Sequence, residues 1–267
     1  MLNYIQLIYN IYMLIIKPFG RLGNNISQIM KTISYALSFK IPEKINFILL
    51  KKFQPDILKN FPDYLFDGNN LNNNITNSFW DYNIDYSNYE KIVEIISKFI
   101  NYKIDSNINF EETLIIHIRG GDTFQLNDPN FWKHVPFYVY KDIIDNSNYK
   151  YIKILGEDYR NPTIKKLLET YSNSFIEFKD AAEDFKIIMN AIHFVDSNSS
   201  FSSSALVFNK NIKTLYSSNE LHNYKSFNLY KNTVNVKIYN LKEYINMKFN
   251  TFMDQINFLL LDNDPYN

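Results

Sequence analysis

The sequence predicts an α/β protein built on a doubly wound parallel sheet. The chain opens with an apolar run, a glycine-containing turn and then apolar residues spaced three and four apart, the first unit of an α/β domain. Between residues 113 and 216, short apolar runs alternate with helical periodicity and turn residues, as parallel strands joined by crossover helices require. Length bounds the answer: 267 residues suffice for one or two domains with a real core.

In chain order, residues 11–16 read as a buried strand and 17–23 (KPFGRLG) as a turn rich in helix breakers. Ile26, Ile29, Met30, Ile33 and Leu37 mark an amphipathic helix. Residues 41–88 are poorly periodic, with Pro42, Pro55, Pro62 and an Asn-rich loop at 69–74. Ile92, Val93, Ile95, Ile96, Phe99 and Ile100 mark a second helix, and the polar stretch near 105–112 a boundary. The second half reads as strand 113–118, helix 138–144, strand 151–155 and a helix opened by Asn161-Pro162, a cap followed by Pro in the first turn. Asp180-Ala181-Ala182-Glu183 resembles a capping box for a helix through 190. Strand 192–195, a Ser-rich turn, a short helix 204–208, strand 213–216 and a terminal helix 241–261 complete the reading. The expected division is 1–112, 113–240 and a C-terminal helical segment 241–267.

Composition removes several function classes. Lys and Arg number 28 against 28 Asp and Glu, so no global field draws the chain to nucleic acid, and any anion must be held by a few local groups. The absence of cysteine removes disulfides, thiolate metal sites and Cys nucleophiles. With 38 Asn and 36 Ile, the skew follows AT-rich codons, so Asn-rich patches are treated as loop padding rather than signals. Residues 1–16 are apolar and uncharged, but Asn3, Gln6 and Asn10 interrupt them and the run is shorter than the ~20 residues of a span. They also lack a signal peptide's basic region and cleavage site. The expectation is a cytoplasmic protein, of a bacterium or a virus-infected host cell, with at most weak peripheral membrane association through this segment.

Four turns follow expected strands: 20–24, 117–122, 156–158 and 196–204. In open α/β sheets ligands sit outside the carboxyl ends of the strands, so these turns converge if the strands are parallel neighbours. His117 and Arg119 alternate onto one face of their strand, beside Gly120 and Gly121. Two donors next to glycines that admit a close backbone approach suit a diphosphate, and Arg supplies a planar fork of donors. An ordinary strand end with a salt-bridged Arg fits the same spacing. The serines of 196–204 precede a helix and suit an anion at its N-terminus; a flexible Ser-rich loop fits too. Asp122, Glu157, Asp158 and Asp184 are the carboxylates nearest this crevice, while His134, His193 and His222 are isolated. No clustered His/carboxylate set has metal-ligand spacing, and residues 113–240 carry no Asp-x-Asp pair, so no metal is expected.

The ordered set Gly20-Arg21-Leu22-Gly23-Asn24, His117-Ile118-Arg119-Gly120-Gly121-Asp122 and Asn198-Ser199-Ser200-Phe201-Ser202 resembles the α-1,2-fucosyltransferases, with Gly156-Glu157-Asp158 and Asp184 matching between the last two. The resemblance covers about residues 15–215. It implies a GT-B-like architecture of two Rossmann-like halves, an acceptor side in 1–112 and a donor-binding half in 113–240. It implies transfer of L-fucose from GDP-fucose to a sugar hydroxyl with inversion, in an α-1,2 linkage, without metal or other cofactor, and a glycan acceptor as partner. By the same resemblance His117 and Arg119 contact GDP, Arg119 at the diphosphate with Asp122 as a supporting carboxylate. Glu157 and Asp158 border the donor, Asp184 reads guanine, and Ser199, Ser200 and Phe201 border the phosphates and base. Gly20, Gly23 and Asn24 face the donor–acceptor junction. The chain departs from the family where Gly120 replaces a second Arg and Ser203-Ser204 a Trp pair. A glycosyltransferase using another nucleotide sugar, or an inactive glycan-binding relative, are the alternatives these departures raise.

Overall fold

A computed structural model describes residues 14–16, 21–38, 47–49, 75–77, 84–104, 107–124, 129, 133–197, 199–218, 234–239 and 241–266. The chain divides into two compact units, Met1–Lys103 and Ile104–Asn267.

The first unit is built on a three-stranded parallel sheet with β1 (Leu14–Ile16) between β2 (Phe47–Leu49) and β3 (Ile75–Asn77). Helix α1 (Leu22–Ser38) buries Ile26, Ile29, Met30 and Ile33, the stripe expected from their spacing. It begins earlier than the turn residues suggested: Gly23 and Asn24 lie in its first turn rather than in a loop. Glycine is tolerated there because the first-turn amides have no intrahelical acceptor to lose. Helix α2 (Tyr89–Ser97) buries Tyr89, Ile92 and Ile96, and the Asp85 amide before it donates to Ser34 Oγ on α1 at 2.8 Å. Residues 11–13 and Gly20 lie outside the described residues. Among the described residues, no helix is long and apolar enough to cross a membrane.

The second unit holds six parallel strands in the order β6-β5-β4-β7-β8-β9. These are β4 (Thr113–His117), β5 (Tyr151–Leu155), β6 (Ser174–Ile176), β7 (His193–Val195), β8 (Thr214–Ser218) and β9 (Asn235–Tyr239). Counted within the unit this is 3-2-1-4-5-6, the doubly wound order, with its reversal between β4 and β7. The α/β class read from the alternation is what the chain adopts.

Helix α3 (Phe137–Asp145) links β4 to β5 and α4 (Pro162–Thr170) links β5 to β6. Both pack on the face lined by Leu114, Ile116, Ile152 and Ile154, where Phe137, Tyr140, Ile143, Ile164 and Leu167 close the core. Alternation sends Ile115, His117, Lys153 and Leu155 to the opposite face. That face meets α5 (Ala181–Asn190) and α6 (Ser200–Leu206): Phe201 lies 5.3 Å from the His117 ring and 5.5 Å from Phe185.

Caps fix the helix starts as expected at two places. The Asn161 side chain accepts from the Thr163 amide at 3.0 Å, and Asp180 accepts from the Glu183 amide at 2.8 Å. Three expectations change. Helix α6 begins at Ser200, inside the serine run, not at residue 204. The terminal segment is two helices, α7 (Lys242–Asn246) and α8 (Phe252–Leu259), because Thr251 and Asp254 form a reciprocal capping box that starts a new helix. Strands β2, β3, β6 and β9 were not expected.

Candidate functional site

The reversal between β4 and β7 is where a doubly wound sheet opens a crevice at its carboxyl edge. His117 ends β4 there, 7% exposed, and shares a 2.6 Å hydrogen bond between its Nδ1 and Ser197 Oγ, two residues beyond β7. This bond ties the two strand ends across the switch point. Burial, and then the Arg119 charge, push the His117 ring down to about 3, so it is neutral at physiological pH. It therefore presents hydrogen bonding rather than positive charge. His134, stacked on Phe124 at 4.3 Å, is pushed down to about 3 by the same two causes. It is a core histidine, as its isolation in the sequence suggested.

Arg119 leaves the strand end toward solvent with its side chain 21% exposed, and its Nη2 meets Asp122 Oδ1 at 2.9 Å. Asp122 sits in a single 3-10 turn (Gly121–Phe124) that the neighbouring loop shapes. Gly121 has φ +61°, and a Cβ there would stand 1.9 Å from Glu157 Oε2. Glycine at 121 thus lets the exposed Glu157 carboxylate close over the turn. A second link comes from Asn161, whose side-chain amide donates to the Arg119 carbonyl at 2.9 Å while its oxygen caps α4. Asp158 receives Arg160 on one oxygen at 2.8 Å and the Arg160 amide on the other at 2.8 Å. Arg160 Nη1 then donates to the Gly121 carbonyl at 3.1 Å.

On the β7 side, Ser199 caps α6 by accepting from the Phe201 amide at 3.2 Å. Ser202 donates to Asp196 Oδ1 at 2.6 Å, and Tyr239 donates to the Asp196 carbonyl at 2.7 Å, so the loop is braced from two sides. Ser200 is exposed at the first turn of α6.

Asp184 lies in the first turn of α5, next to Phe185, and is 7% exposed. Its Oδ1 is buried without a hydrogen-bond partner. Burial raises its carboxyl to about 7, against the lowering effect of Lys153. Lys153, 2% exposed on β5, has Glu177 Oε2 at 3.9 Å, and burial lowers its ammonium.

Of the residues read from the sequence, His117, Arg119, Asp122, Glu157, Asp158, Ser199, Ser200 and Phe201 gather at the carboxyl ends of β4, β5 and β7. Asp184 stands in the first turn of α5 with Lys153 of β5 as a charged neighbour; the ring contacts to Phe201 are made by the next residue, Phe185. Gly23 and Asn24 belong to the other unit, and Gly20 lies outside the described residues. Sequence reading missed Arg160 and Asn161 as parts of this site, and it flagged Ser197 only as one of the serines of 196–204, not as the partner of His117. Arg160 and Asn161 stand within a few residues of a flagged segment, but only tertiary hydrogen bonds assign the three roles. Among the described residues, no group of three or more His, Asp or Glu is placed to hold a metal ion. A separate cavity of about 830 Å³ lies beside α3, β8 and β9, lined by Tyr138, Asp142, Tyr216 and Tyr239 among others.

No protein-family profile matches the chain, and no curated protein matches it. Among solved structures it is similar to the fucosyltransferase NodZ from Bradyrhizobium, at 10% identity and a TM-score of 0.37, over 73% of this chain and 91% of that one.

Proposed function

We propose that this chain is a glycosyltransferase that moves L-fucose from GDP-fucose to a sugar hydroxyl with inversion, forming an α-1,2 linkage. The observation that carries the reading is the convergence of the His117-x-Arg119 strand end and the Ser199-capped α6 at the β4/β7 switch point, in the order in which the α-1,2-fucosyltransferase motifs run.

In this reading the leaving group is a nucleoside diphosphate, and the chemistry turns on holding the charge that develops as the glycosidic C–O bond breaks. Arg119 provides a permanent fork of donors at the diphosphate. Asp122, paired with it at 2.9 Å, is a positioning residue that holds the fork until phosphate displaces it. Neutral His117, oriented by Ser197, donates a hydrogen bond beside the phosphates. Asp184 accepts from the N1–H and 2-amino edge of guanine, which adenine does not offer. The acceptor hydroxyl attacks the anomeric carbon from the face opposite the departing diphosphate and gives up its proton as the bond forms.

The test is GDP release from GDP-fucose with and without glycan acceptors, alongside GDP-mannose and UDP-galactose. Acceptor-stimulated turnover confined to GDP-fucose is expected. Turnover of another donor instead would replace fucose, and binding of glycans with no donor turnover would make the protein a glycan-binding relative.

A further inference from the structure

The motif-bearing turn after β4 holds one arginine, with Gly120 where the resembled motif has a second. The structure shows where the side chain of residue 120 would go. A Cβ built on Gly120 meets Asp158 Oδ1 at 3.6 Å, Asp158 O at 3.9 Å and Asn161 Cβ at 4.0 Å, all ordinary contacts. There is room for a Cβ, and its direction leads to the loop after β5. That loop carries its own guanidinium: Arg160, whose Nε and Nη2 hold Asp158 Oδ2 at 2.8 Å and whose Nη1 reaches back to the Gly121 carbonyl at 3.1 Å.

Arg160 is therefore not an arbitrary surface charge. The Asn161 amide bonded to the Arg119 carbonyl at 2.9 Å fixes the β5 loop against the β4 loop, one residue from Arg160. The two arginines lie in the loops that follow neighbouring parallel strands, Arg119 after β4 and Arg160 after β5, and Arg160 reaches the carbonyl of Gly121 beside Arg119. Each is matched by one carboxylate, Arg119 by Asp122 and Arg160 by Asp158. Both pairs reach solvent, with the Arg160 side chain 43% exposed and Arg119 21%. Two forks of donors set over a glycine turn suit an anion with two phosphoryl groups, each exchanging a carboxylate for phosphate oxygens.

We infer that Arg160 is the second diphosphate-binding residue of this site, supplying from the β5 loop the charge that residue 120 does not carry. The inference rests on the nucleoside-diphosphate reading of the site and names a further residue for it.

The test titrates GDP, GMP and inorganic pyrophosphate into the full-length wild type, Arg160→Ala and the double variant Gly120→Arg/Arg160→Ala, with melting temperatures taken without ligand. Arg160→Ala should weaken GDP and pyrophosphate about tenfold or more, the worth of one charge-assisted contact, while GMP falls much less. The double variant should recover most of the loss, because an arginine at 120 points into the space Arg160 vacates. A purely structural Arg160 would lower GDP and GMP together, and that result overturns the inference. So does unchanged affinity for GDP and pyrophosphate in Arg160→Ala. Wild type that holds pyrophosphate in an Arg160-dependent way but does not prefer GDP supports the arginine pair and overturns the guanine nucleotide. Wild type that binds none of the three overturns both.

Discussion

Arg119 and Asp184 make opposite demands on their surroundings, and each can be tested alone. Under the proposed diphosphate reading Arg119 acts as a planar fork, so Arg119→Lys should fail nearly as badly as Arg119→Ala, with a rate loss of ~10²–10³. Near wild-type turnover in the Lys variant would remove Arg119 from the diphosphate. Asp184 is held by burial at about 7 against an ordinary 3.8, with Lys153, Lys179, Asp180 and Glu183 as charged neighbours. An acid raised by folding is protonated in the fold where the unfolded chain has already ionised, so stability falls as pH rises from about 4 to about 7 and then levels. Asp184→Asn removes this penalty. Its advantage in urea unfolding without ligand should grow across that window to a few kcal/mol at pH 8, by the order of the shift. Under the guanine reading the same variant loses GDP affinity at least tenfold, and wild-type affinity for GDP rises from pH 6 to pH 8 as the carboxylate ionises. A variant that gains stability yet binds GDP as well as wild type would make Asp184 a buried acid with no ligand.

At the scale of loops and helices, Asn161 joins two elements with one side chain. Asn161→Asp keeps the oxygen that caps α4 but loses the amide that holds the Arg119 carbonyl. Asp is as good a cap, but at a site 1% exposed the new carboxylate stands unpaired against the Arg119 carbonyl oxygen, so unfolding free energy should fall by about 1–3 kcal/mol while KM for the donor rises. Asn161→Ala loses both, and about 1–2 kcal/mol with the cap. Gly121→Ala combines a positive φ with the Glu157 carboxylate at 1.9 Å from the new Cβ. It should lower both stability and turnover, and Glu157→Ala should restore only part, because the backbone strain remains. Elements with a buried apolar stripe were legible in the sequence: β4, β5, α1 and α3 fall within a residue or a few of their expected ends. The short or marginal strands were not. β6 is three residues, and β9 is half-exposed along its length, so burial leaves little pattern to read. Helix α6 begins earlier than the sequence predicts because its first buried residues are Ser202 and Ser204, and the apolar Ala205 and Leu206 are buried only at its end, so no apolar period marks its start. The site was legible as far as its strand-end motifs and the serines of 196–204; Arg160 and the His117–Ser197 bond were not, since nothing local distinguishes Arg160 from a surface cation or pairs Ser197 with His117.

Over the whole molecule, 28 cationic side chains balance 28 acidic ones, so no general field attracts an anion, and the proposed donor would depend on the few guanidiniums at one sheet edge. With charge supplied by arginine, turnover should survive EDTA. Abolition by EDTA with recovery on Mn²⁺ or Mg²⁺ would show that the arginines do not suffice. The doubly wound class was within reach of the sequence because right-handed crossovers leave few arrangements for alternating strands and helices; the six-strand order was not, since its edge strands β6 and β9 were not expected. The proposed place of the ligand is the β4/β7 switch point of that sheet, and a crystal structure of the GDP complex tests it most directly. The expected result is a diphosphate within about 3 Å of the Arg119 guanidinium and guanine on the Asp184 carboxylate, at the β4/β7 switch point. GDP bound instead in the cavity beside Tyr138 and Tyr216, with Arg119 still on Asp122, would contradict the assignment.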